Sequence, residues 1–164
     1  MRALFVAAAL TALPVPALAG AWTYQVADRG NNSLVVNAYP EGSDNDEASF
    51  GYNCLTDEKV SKFYVVTRAD QRRAEPYPDE ATATFVVDGD PLQIKGLTLI
   101  DSGALIITLS EAVDPEVNTL FDALTETKAP VEVSVLDIKL TVPVENAFDA
   151  LNIAYDRCFN NPPQ

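Results

Sequence analysis

The sequence predicts a mainly β chain, an antiparallel β-sandwich or open barrel with one short helix and a C-terminal helix packed on it. Three observations carry that expectation. Residues 22–109 are dominated by short runs rich in β-branched and aromatic side chains, several alternating with period two. Asp-Gly and Ser-Gly steps punctuate these runs where tight hairpins need positive φ. Two later stretches change to helical spacing.

Taken in order, Trp22–Val26 alternates aromatic and polar residues and ends at Asp28-Arg29-Gly30-Asn31-Asn32. Ser33–Tyr39 is a second run, stopped by Pro40. Ala48–Leu55 places Phe50, Tyr52 and Cys54 two residues apart, on one face of a strand. Lys62–Thr67 is a fourth run, followed by a polar link over 68–80 with Pro76 and Pro78. Ala81–Val87 is the fifth. Asp88-Gly89-Asp90 and Asp101-Ser102-Gly103 then mark two hairpins, and Lys95-Gly96 reads as a bulge or short break between them.

Asp114-Pro115-Glu116 has the chemistry of a helix start: a capping carboxylate, proline at the first position, an acid in the first turn. Val117, Leu120, Phe121 and Leu124 follow at helical spacing, and Ala129-Pro130 ends the helix. Val131–Val142 alternates, but its register shifts at Leu136-Asp137, which predicts a bend or two strands joined by a turn. From Pro143 to Phe159 the pattern is helical, with Phe148, Leu151, Tyr155 and Cys158 as the expected stripe and Ala147 and Ala154 beside it.

Residues 1–19 precede this domain and read as a secretory signal peptide. Met1-Arg2 is a short positive start, residues 3–13 are apolar except Thr11, and Ala17-Leu18-Ala19 fits signal-peptidase cleavage before Gly20. The apolar stretch of eleven residues is short of the roughly 20 that a spanning helix requires. No cysteine follows the cleavage site to take a lipid. The expected mature chain, residues 20–164, is a single β-rich domain located in the periplasm or secreted.

Composition limits the function. The 164 residues carry 24 acidic and 11 basic side chains, a net charge of −13, which becomes −14 once Arg2 leaves with the signal. Such a field repels phosphate and argues against nucleic-acid binding. The chain has no histidine, which removes Ser-His-Asp triads, Cys-His pairs and His-bound metals. Apolar residues make up 48% of it, enough for a packed core.

Cys54 and Cys158 are the two cysteines, and an even count in an oxidising compartment predicts one intramolecular disulfide. It would close a loop of roughly 105 residues, for which the chain-entropy relation gives about 4.7 kcal/mol. A redox pair would be expected as Cys-x-x-Cys, which is absent.

Candidate sites are few. Glu41-Gly42-Ser43-Asp44-Asn45-Asp46-Glu47 holds four carboxylates in seven residues, with Asp44, Asp46 and Glu47 as candidate calcium ligands. It lacks the glycine and terminal glutamate of an EF-hand loop, and a solvated surface loop is the plainer reading. Asp88, Asp90 and Asp101 invite a paired-carboxylate reading, as in glycan hydrolases and aspartic proteases, but turn chemistry explains them without catalysis. Ser61-Lys62 are neighbours on a strand, so they point to opposite faces and form no dyad. Arg68, Arg72 and Arg73 are the basic concentration, a candidate anion or partner site beside Glu75, Asp79 and Glu80. Trp22 is a candidate partner anchor, with burial in the first strand as the plainer alternative. Asn31-Asn32-Ser33 matches a glycosylation sequon, relevant only to a eukaryotic secretory pathway. Nothing in the sequence calls for a cofactor.

Several of these segments together resemble a family. Trp22 lies near the new N-terminus; Tyr52-Asn53-Cys54 ends a strand; Phe85-Val86-Val87-Asp88-Gly89 opens a hairpin; Ala147-Phe148-Asp149-Ala150-Leu151 runs to Tyr155-Asp156-Arg157-Cys158 in the last helix. This resembles the small secreted proteobacterial proteins related to invasion-associated locus B proteins and to accessory envelope proteins of type VI secretion. The resemblance implies a β-rich domain closed by a disulfide-bearing C-terminal helix and an envelope accessory or adhesion-related role, and it transfers no catalytic residue. The extra N-terminal cysteine pair of many such proteins is absent here. The functional expectation is a non-catalytic interaction module for a protein partner with a basic surface, a lysozyme-inhibitor-like role being one instance. The alternatives are a calcium-dependent binding domain and a carboxylate-dependent glycan hydrolase.

Overall fold

A computed structural model describes residues 20–30, 33–40, 48–56, 58–70 and 74–160. The signal-peptide reading of residues 1–19, the acidic loop Glu41–Glu47 and the Asn31-Asn32 step therefore lie outside the described residues.

Among the described residues, nine strands form one antiparallel sheet. They are β1 (Trp22–Gly30), β2 (Ser33–Pro40), β3 (Ala48–Leu55), β4 (Val60–Arg68), β5 (Glu80–Val87), β6 (Asp90–Asp101), β7 (Ala104–Leu109), β8 (Val131–Val135) and β9 (Ile138–Val142). Helix α1 (Glu116–Glu126) lies between β7 and β8, and α2 (Ala147–Phe159) follows β9. The spatial order is β1-β2-β3-β4-β7-β6-β5-β8-β9. Of the two expected architectures, the open barrel is the one formed: the sheet curls until β9 approaches β3, and both helices pack on its inner face.

Local chemistry sets the registers. Asp88-Gly89 (φ +50° and +94°) and Ser102-Gly103 (φ +50° and +84°) are two-residue turns with both φ values positive, as tight hairpins require, and they join β5 to β6 and β6 to β7. Leu136-Asp137 is also a two-residue turn, so residues 131–142 are two strands. Lys95-Gly96 is neither bulge nor break. Strand β6 is continuous there, with Gly96 opposite Ala81. Glycine is needed because Leu109 and Ile107 press against its backbone; a Cβ would stand 2.7 Å from Leu109 Cδ2.

Helix α1 begins one residue later than its sequence predicts, with Pro115 rather than Asp114 at the N-cap position, but the Asp114 carboxylate still serves the helix start. One carboxylate oxygen accepts from Glu116 N–H at 2.9 Å, the other from Lys95 N–H at 3.1 Å. The helix start is thereby tied to β6 beyond the end of its pairing with β7. These two donors hold the Asp114 carboxyl below the ordinary carboxylate range.

The inner face carries Phe50, Tyr52 and Cys54 from β3, Phe63 and Val65 from β4, Phe85 from β5 and Ile107 from β7, all buried. Phe50 is central: it stacks on Phe63 with centroids 5.5 Å apart and meets Trp22 and Phe85 edge-on at 6.0 and 5.9 Å. Helix α2 is rotated from the expected stripe. Its buried face is Ala147, Ala150, Leu151, Ala154 and Cys158, whereas Phe148 is 62% exposed and Tyr155 is also exposed. The alanines let the helix lie close to the sheet, and the bond from Cys158 to Cys54 fixes which side faces inward.

Candidate functional site

The sequence candidates scatter over the molecule. Cys54 and Cys158 form the expected disulfide, both fully buried, with Cα atoms 6.1 Å apart. Trp22 is not a surface anchor. It is 1% exposed; its indole N–H donates to Pro143 O at 2.6 Å, its backbone N–H to Glu145 O at 2.8 Å, and its carbonyl accepts from Asn146 Nδ2 at 2.9 Å. The start of the domain is thus pinned to the β9–α2 connection. Burial of so large a ring, with its one polar atom satisfied, explains the placement. Asp44, Asp46, Glu47, Arg72 and Arg73 lie outside the described residues. Asp88, Asp90 and Asp101 sit in or beside hairpin turns, and Thr127 Oγ1 donates to Asp88 Oδ1 at 2.8 Å.

Arg68 is the basic candidate that reaches a concave surface. At the end of the barrel where the sheet curls back, a cleft of about 170 Å³ lies between β3–β4 and the β8–β9 turn. Its wall includes Thr67 and Arg68 from the end of β4, Asp70 and Tyr77 from the following link, Asp137 from the β8–β9 turn and Lys139 from β9. Asp70 N–H donates to the Tyr77 hydroxyl at 3.0 Å, and Ala69 N–H to Gly103 O at 2.9 Å, which folds the link back over the β6–β7 turn. Lys139 and Asp137 were invisible as cleft residues in the sequence, because only the curl of the sheet brings β9 to β4. The cleft is smaller than the roughly 300 Å³ at which metabolite pockets begin, and it is polar and open, with Arg68, Asp70, Asp137 and Lys139 all exposed.

Among the described residues no three Cys, Asp or Glu side chains gather as a metal would require. The buried polar group that stands out is Tyr52. Its hydroxyl finds no hydrogen-bond partner among the described residues. Burial pushes the phenol up to about 12, with Ser61 offsetting part of the rise without reaching hydrogen-bond geometry and Tyr155 adding to it. Aromatic neighbours Phe63 (5.2 Å) and Phe121 (5.8 Å) enclose its ring.

Fold and surface together define the class: a curled antiparallel sheet with a disulfide-tied C-terminal helix, an acidic exterior and a small polar cleft. No family model matches the chain, and no curated protein or solved structure matches it. No helix of the described residues is long and apolar enough to cross a membrane.

Proposed function

We propose that the chain is an exported, non-catalytic binding module of the bacterial cell envelope that engages a protein partner with a basic surface. The observation that carries this reading is where the charge lies. Every Asp and Glu whose side chain is described is exposed, except the half-buried Asp114 and Asp156, and the whole chain has a net charge of −13. A field of that sign speeds the approach of cationic partners and repels anionic ones. The buried disulfide supports an oxidising compartment, and the resemblance of the last helix to envelope accessory proteins supports the location.

Asp70 and Asp137 share the cleft and are the pair a carboxylate-dependent hydrolase would use. A general acid in such a pair is kept protonated by an apolar pocket. Here both carboxylates are exposed beside Arg68 and Lys139, which favours recognition over catalysis.

The test is capture from envelope extract by the mature chain, followed by stopped-flow association with the purified partner. Partners should be basic, and the association rate should fall at least about tenfold between low and physiological salt. A salt-independent rate, or a set of acidic partners, overturns the proposal.

A further inference from the structure

We infer that the outer edge of β1 is a docking strand: an extended segment of the cationic partner pairs with it, extends the sheet and covers Tyr24 and Val26. This rests on the reading of the chain as an acidic binding module and locates the contact. Among the described residues, strand β1 is at one end of the strand order and pairs only with β2. The backbone N–H of Trp22 goes to Glu145 O and its C=O to the Asn146 side chain, so both groups point away from β2. In an antiparallel ladder, residues two apart direct these groups to the same side. The β1–β2 register is unbroken from Trp22 to Asp28. Tyr24 and Val26 therefore also present N–H and C=O outward, and among the described residues these four groups have no partner.

The side chains agree with the backbone. Tyr24 and Val26 share the face of Trp22 but are 41% and 44% exposed. Residues 22–27 contain no proline and no charge, the usual guards of an open edge. The opposite edge is guarded: β9 has five residues, carries Lys139, and turns toward β3.

Charge selects the occupant. Glu145, whose carbonyl accepts from Trp22 N–H at the start of this strand, is exposed, and α2, which contacts β1, carries Asp149 and Asp156 against Arg157. A second copy would bring another net charge of −13 to the same edge. An extended segment with apolar residues at alternate positions and Lys or Arg between them satisfies the open backbone groups, the two apolar side chains and the field.

A synthetic eight-residue peptide alternating Lys and Val is titrated into the mature chain and followed by amide NMR. Tyr24 and Val26 amides should shift and gain exchange protection. A peptide of the same composition with Lys and Val in separate blocks should bind more weakly. Val26→Pro removes one outward donor and leaves the β2 ladder intact, so affinity should fall about tenfold. Val26→Lys, which retains the backbone donor but guards the edge, should weaken binding similarly, and it carries the test if the proline variant melts early. Salt-sensitive shifts confined to another surface overturn the docking strand while leaving the acidic-module reading in place. Absence of binding by any cationic peptide at low salt overturns both. Sedimentation showing a dimer that Val26→Lys dissociates also overturns the assignment, because the occupant is then a second copy.

Discussion

In the β5–β6–β7 part of the sheet, successive strands are joined by two-residue turns, and paired residues are at most 17 positions apart. The β1–β3 part with α2 is held by residues far apart in sequence. Cys54 and Cys158 are 104 positions apart, Trp22 and Pro143 121, and Asn146 and Trp22 124. The first part can form as soon as its own turns form. Strand pairing in the second is also local, with partners at most 20 positions apart, but its fastening must wait for the last helix to arrive, and contacts closed over such long loops form slowly. The molecule is therefore a locally specified platform to which the other strands are fastened from the chain's two ends, and the open edge of β1 lies on the fastened side.

The severest way to break this contrast is to remove the covalent tie. Cys54→Ser should lower stability by up to about 4.7 kcal/mol. Native-state hydrogen exchange should show the loss unevenly, with β1–β3 and α2 opening at lower free energy while β5–β7 amides retain more protection. Equal loss in both parts would show that the sheet unfolds as one unit and that the contrast has no energetic content.

A second test sharpens it through pH. Tyr52 stands where β3 meets the helices, and its phenol is pushed from 10.0 up to about 12 by burial. The folded state thus prefers the neutral ring more strongly than the unfolded chain does. The stability linked to it is complete below pH 10 and is lost as pH rises toward 12, by roughly 3 kcal/mol. Chemical denaturation across that range should show the loss, and phenolate absorbance should show one tyrosine ionising late. Tyr52→Phe should abolish this part of the alkaline loss and cost little at pH 7, because among the described residues the hydroxyl has no hydrogen bond to forfeit.

The same contrast explains what the sequence disclosed. The Asp88-Gly89 and Ser102-Gly103 turns were legible because positive φ is a property of a few adjacent residues. So were the start of α1 to within a residue, just after Asp114, and the shared face of Phe50, Tyr52 and Cys54, which follow from local spacing. Trp22 could be read as a core or a surface residue, since its fate depends on Pro143, Glu145 and Asn146 at the far end of the chain. The α2 stripe is half as expected for a related reason: Leu151 and Cys158 are buried, Phe148 and Tyr155 are not. Periodicity favours its largest side chains, Phe148 and Tyr155, but a helix drawn close to a sheet by a disulfide buries its alanines instead. The cleft at Arg68 was half visible, because Asp137 and Lys139 join it only through the curl of the whole sheet.

The mildest test lies within the platform and asks how local it is. Gly96 has no unusual backbone angle, yet a Cβ there would stand 2.7 Å from Leu109 Cδ2, 2.9 Å from Ile107 Cγ2 and 3.1 Å from Thr108 O. Gly89 is the reverse case: nothing lies within 4 Å of its Cβ position, but its φ is +94°. Both alanine variants should destabilise, each by about 1–3 kcal/mol, one through crowding and the other through the backbone. Combining Leu109→Val with each separates the causes in thermal melts. The smaller side chain should recover part of the Gly96→Ala loss and none of the Gly89→Ala loss, because only the first pair is in contact. Equal recovery, or none for Gly96→Ala, would mean that β6 and β7 are matched by backbone pairing alone. The platform would then be more local than the close approach at Gly96 implies.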